Sequence, residues 1–159
     1  MNIKKKLDEY LNSYLVDGQV AFKSSRMRTS SFECACADIN SYIDDNKEDD
    51  TFQTKLFKYI DDKELKDSDV YNKVDIDRRL FSKIRSNKDY HPSKETIILL
   101  GLALELDESE IEDLLKSASY SLPMNTTFDL IIRFCFKEKI FDINKVNEFL
   151  YDHECKLLN

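Results

Sequence analysis

Glycine and proline are almost absent from this chain, with two of each among 159 residues. Hairpins, β-bulges and sandwich turns depend on glycine for positive φ and on proline for preset turn geometry. A chain without them has few ways to reverse direction as sheet, so turn-rich β-sandwiches, collagen-like repeats and flexible linkers are excluded. The fold class expected is all-α. At 159 residues the chain can build one core, or a core with a small satellite.

The helical signals are regular from residue 51 onward. Thr51 reads as the N-cap of a helix burying Phe52, Leu56, Tyr59 and Ile60 and ending near Lys63. Ser68 is expected to cap a short second helix holding Val70, Tyr71 and Val74. Asp77 is expected to cap a third, which buries Leu80, Phe81 and Ile84. Ser93, after Pro92, opens a helix apolar nearly all round, from Ile97 to Leu106, which suits the centre of a core. Asp107 and Glu110 form a capping box ahead of Ile111, Leu114 and Leu115. Two further helices follow, one capped by Thr127 at FDLIIRFCF and one by Asp142 ahead of Ile143, Val146, Phe149 and Leu150.

Residues 1–50 read as a separate helical and loop region. Ile3, Leu7, Leu11, Tyr14 and Leu15 recur at helical spacing; a Ser-rich loop and a weak helix over residues 32–43 come next, then the acidic tract DDNKEDD. The boundary expected near Asp50 divides the chain into an N-terminal region of unassigned role (1–50), a five-helix bundle (51–122) and a two-helix C-terminal extension (123–159) that packs back on the bundle.

Charge narrows the function classes. Lys plus Arg number 24 against 31 Asp plus Glu, a formal charge of −7, so the surface as a whole repels polyanions. Residues 77–94 run against that balance: six bases (Arg78, Arg79, Lys83, Arg85, Lys88, Lys94) face two acids (Asp77, Asp89), a local +4. With Val70, Val74 and Ile76 turned inward, the stretch from Val70 to Ile84 has the layout of two short helices joined by a tight turn. The second of them leaves Arg78, Arg79, Ser82, Lys83 and Arg85 outside.

Those residues resemble a known family. Residues 51–120 are similar to a lambda-repressor-like (XRE-type) helix-turn-helix domain, and LFSKIRSNKDYHPSKETIILLGLALELDESEIEDLLKSASYSL resembles a divergent bacterial branch whose members continue in a tail similar to FDLIIRFCFKEKIFDINKVNEFLYDH. The resemblance spans two thirds of the chain and leaves residues 1–50 out. It implies a five-helix bundle, a recognition helix starting near Asp77, and sequence-specific binding of double-stranded DNA, often as a homodimer on a palindromic site. On that reading Arg78, Arg79, Ser82 and Lys83 read the major groove, while Arg85, Lys88, Ser93 and Lys94 hold phosphates. Two positions depart from the family pattern: Tyr71 stands where a small alanine is common, and Asp75 where the turn usually has glycine.

The rival expectation is a non-enzymatic protein-interaction module, an inhibitor or adaptor in phage–host conflict, with residues 1–50 binding the protein partner. The acidic total charge, the acidic helix DESEIEDLLK and the two departures support it. No enzyme activity and no cofactor is expected, since no glycine-rich phosphate loop, G-x-S-x-G or H-E-x-x-H is present. No metal site is expected either: Cys34 and Cys36 form C-x-C, far in sequence from Cys135 and Cys155. No apolar run approaches the ~18 residues needed to cross a bilayer, and charge follows Ile3 at once, so a cytoplasmic location is expected.

Overall fold

The computed structural model describes residues 3–15 and 51–158. Within them the chain is all helical. Helix α1 runs Ile3–Leu15, α2 Phe52–Asp62, α3 Asp67–Lys73, α4 Arg78–Ser86, α5 Lys94–Ala103, α6 Glu108–Ser117, α7 Thr127–Lys137 and α8 Ile143–Asp152. The weak helix over 32–43, the acidic tract and the Cys34/Cys36 pair lie outside the described residues. Among the described residues no helix is long and apolar enough to cross a membrane.

α5 is the axis of the fold. Every residue from Ile97 to Ala103 is buried, and α3 and α6 pack against it. Burying a Leu or Ile side chain is worth about 1.5–3 kcal/mol, so this helix concentrates much of the hydrophobic stabilisation. Gly101 permits the closest approach: a Cβ there would lie 2.4 Å from Ile111 Cδ1 and 3.2 Å from Phe136 Cζ. α7 is the second buried rod, with Leu130, Ile131, Ile132, Phe134, Cys135 and Phe136 all inside. It touches α6 on one side and α8 on another, so the C-terminal extension does pack back onto the preceding helices.

The N-terminal helix shares this core. α1 lies on α7, burying Leu7 and Leu11 and setting Tyr10 against Phe134 at a ring separation of 5.3 Å. Lys4 pairs with Glu148 and Asp152 on α8, and Lys6 with Glu138 at the end of α7. Read from sequence, residues 1–50 formed a region apart; the first helix is instead a component of the C-terminal packing unit.

Helix starts follow the sequence signals with two corrections. Thr51, Asp77, Ser93 and Asp142 each accept a hydrogen bond from a first-turn amide, and Asp107 with Glu110 forms the full capping box. Ser68, by contrast, lies inside α3: the N-cap is Lys66, which makes no side-chain cap bond, and the acids Asp67 and Asp69 face the positive end of the helix dipole instead. For α7 the cap is Thr126, one residue before the one expected. Its Oγ1 accepts from the Asp129 amide at 3.2 Å and donates to the Asp129 carboxylate at 2.6 Å, a two-way closure that Thr127 is not spaced to make.

Helix ends use one device six times. Glu64, Asp75, Glu105, Ser119, Lys139 and Glu154 all take positive φ, between 52° and 59°. In each case the next residue donates its amide to a carbonyl five residues back, as in Leu65 to Ile60, Ile76 to Tyr71 and Ile140 to Cys135. These are Schellman turns, in which glycine is the usual left-handed residue. The chain closes them with polar or charged residues, and Asp75 is one: its short side chain tolerates the left-handed region. The turn therefore keeps its shape where the family pattern would place glycine. Tyr71 is accommodated too, its ring tilted against Phe81 at 5.7 Å.

Candidate nucleic-acid interface

The basic stretch maps onto α4 and the loop behind it. Phe81 and Ile84 turn inward and Leu80 is half-buried, which leaves Arg78, Arg79, Ser82, Lys83 and Arg85 exposed on the outward side. α3 contacts α4 across the turn at Val74, Asp75 and Ile76, where Val74 and Ile76 are buried. Asp77 caps α4 by accepting from the Arg79 amide at 2.6 Å. The far end of α4 is tied to α2, because the Gln53 side-chain amide donates to the carbonyls of Ile84, at 2.9 Å, and Asn87. Gln53 escaped the sequence reading; its position, one turn into a helix that begins well upstream, gives no local hint of a distant carbonyl.

The eight residues expected to meet DNA fall into three groups. Arg78, Arg79 and Lys88 are exposed and have no ion-pair partner among the described residues; Lys83 likewise has none, its ammonium lying 4.4 Å from the centre of the Tyr90 ring. Ser82 and Ser93 are exposed hydroxyls, and Ser93 accepts from the Thr96 amide at 3.2 Å as the cap of α5. Arg85 and Lys94 are engaged within the protein. Arg85 donates to Asp67 at 2.7 Å and lies 4.4 Å from the centre of the Phe57 ring. Lys94 donates to buried Asp129 at 2.5 Å, tying the start of α5 to the start of α7. It is thus a structural cation, and the sequence reading that gave it a phosphate overlooked a carboxylate 35 residues away.

Acids surround the basic patch. Asp67 and Asp69 occupy the first turn of α3, and Asp75 and Asp77 flank the turn into α4. A separate anionic face lies where α2 meets α6: half-buried Tyr59 has its phenol pKa raised, by burial first and then by Glu110, Asp113, Asp107 and Asp62. Tyr59 had been expected in the core. Of the thiols, Cys135 is buried, which pushes its pKa up to about 12 and leaves it inert, and Cys155 is raised in the same direction by partial burial. His, Cys, Asp and Glu form no cluster suited to a metal among the described residues.

Fold and site together define an all-helical protein that presents an exposed basic helix amid acidic neighbours. Comparison with models of protein families, with curated proteins and with solved structures gives no match.

Proposed function

We propose that residues 51–122 form a helix-turn-helix bundle of the lambda-repressor-like kind and that this bundle binds duplex DNA to regulate transcription. α3 and α4 are the two helices of the motif, and α4 is the one that enters the major groove. Arg78, Arg79, Ser82 and Lys83 face the base edges, where a guanidinium bonds guanine through two hydrogens and an ammonium through one. Lys88 and the start of α5 at Ser93 lie beside the phosphates. The mechanism is positioning without chemistry.

One observation carries this reading. Four cations on α4 and its following loop, Arg78, Arg79, Lys83 and Lys88, have no carboxylate partner among the described residues, in a chain whose formal charge is −7. Fluorescence anisotropy with random and operator-rich duplexes at low salt tests it. The wild type is expected to bind, and Arg78→Ala/Arg79→Ala/Lys83→Ala to lose affinity and about 0.9 units of salt slope for each phosphate interaction removed. Unchanged affinity in the triple variant removes these residues from the interface.

The carboxylates at Asp67, Asp69, Asp75 and Asp77 favour the second reading, a protein-interaction module that uses the same fold. Purification separates the two. Nucleic acid that co-purifies and is shed at high salt supports DNA binding, whereas a protein partner retained at high salt supports the adaptor.

A further inference from the structure

We infer that Asp67 competes with DNA phosphate for Arg85, holding that arginine closed in the free protein so that its release adds a phosphate interaction to the bound state. The inference rests on the DNA-binding reading above and specifies how that interface is restrained.

Arg78, Ser82 and Arg85 follow at helical spacing along one side of α4 and line a groove of about 600 Å³ whose other walls include Asp61, Lys66 and Asp67. Arg78 reaches into this space with no ion pair among the described residues, while Arg85 crosses it to Asp67 and stacks on Phe57 of α2. A guanidinium presents one planar fork, which fits a carboxylate or a phosphate but not both at once. Occupation by Asp67 therefore removes Arg85 from the set available to DNA.

Exposure shows that the restraint is exchangeable. The side chains of Arg85 and Asp67 keep 53% and 35% of their surface open, so water screens the pair and a phosphate can displace it. The pair between Lys94 and Asp129 is of the opposite kind: Asp129 retains 6% and also takes the Thr126 hydroxyl, so an incoming phosphate would strand a buried carboxylate. Of the two engaged cations, only Arg85 is held by a partner that it can leave without cost to the core.

The test is a double-mutant cycle read by anisotropy on one labelled duplex between 50 and 200 mM salt, using the full chain. Asp67→Asn keeps the shape of the side chain and frees the guanidinium. It is expected to tighten binding about three- to tenfold at the lowest salt and to steepen the salt slope by about 0.9, the signature of one added phosphate interaction. In the Arg85→Gln background the same substitution should change neither quantity. Asp69→Asn, on the same turn but without a bond to Arg85, should leave the slope unaltered.

Each result decides. A gain from Asp67→Asn that persists in Arg85→Gln reports simple loss of negative charge and overturns the inference, as does an Asp67→Asn protein that matches wild type. Binding by Asp67→Asn alone, with none by wild type, supports it in its strongest form. No binding by either protein overturns this inference and the DNA-binding reading together, whereas wild-type binding that fails to respond overturns this inference only.

Discussion

Two sets of cations, chemically alike, are put to opposite uses. Along α4 and its loop, Arg78, Arg79, Lys83 and Lys88 face solvent without a carboxylate partner among the described residues. At the junction with the C-terminal helices, Lys94 is closed on Asp129, and Arg133 is held by Glu108 at 2.8 Å, by Glu112 and by the Leu122 carbonyl at 3.0 Å. Burial of the Arg133 guanidinium works against its charge, yet the two glutamates outweigh it and hold its pKa above the ordinary value. What separates the sets is tertiary. A cation becomes structural when the chain returns a carboxylate to it from a distant element, and it stays available when the chain does not.

The sharpest way to break this contrast is to remove the acid from the buried pair. Asp129→Ala leaves Lys94 without its partner and opens the Thr126 cap, and should destabilise the protein by about 3 kcal/mol, read as a lowered midpoint in urea. A loss below about 1 kcal/mol would return Lys94 to the exposed set. Arg78→Ala/Arg79→Ala should do the reverse, shifting the urea midpoint by less than the equivalent of about 0.5 kcal/mol per residue while weakening duplex binding at least tenfold.

The helix ends supply a smaller effect that is independent of charge. Replacing the left-handed Ser119, Lys139 or Glu154 with glycine relieves a backbone penalty of about 1–2 kcal/mol and adds unfolded-state entropy worth about half of that. Each substitution should stabilise by about 0.5–1 kcal/mol, read again from the urea midpoint. Destabilisation would mean that the native side chain makes an interaction larger than its strain.

Smallest is the response of the outer pairs to acid. Glu95 has its pKa lowered, mainly by the hydrogen bond from Lys156 at 3.0 Å, and Glu105 has its own lowered by Lys73. A carboxylate depressed in the folded state contributes stability above its unfolded pKa, about 4.5, and loses it as pH falls through the folded value. Lys156→Gln should therefore cost a few tenths of a kcal/mol at pH 7 after solvent screening, and the difference from wild type should vanish in acid. A difference that persists at pH 2 would assign the effect to packing of the lysine stem.

Where the sequence could be read and where it could not follows from the range of each interaction. Thr51, Asp77, Ser93, Asp107 and Asp142 were legible as caps because a cap is completed within three residues. Thr126 and Thr127 stand side by side, and only the carboxylate of Asp129, drawn into the core, selects between them. The outward face of α4 was legible because Phe81 and Ile84 fix its inner side. The pairing of Arg85 with Asp67, of Lys94 with Asp129, and the docking of α1 on α7 join residues 18, 35 and more than a hundred positions apart. No local pattern carries such information.

The central claim is that the unpaired cations of α4 are what this anionic protein offers to a duplex. The most direct measurement is the slope of log Kd against log salt for one labelled duplex, wild type beside Arg78→Ala/Arg79→Ala/Lys83→Ala. The account predicts a slope shallower by two to three units in the variant, about 0.9 for each phosphate that the variant no longer holds. Equal slopes in the two proteins would contradict it.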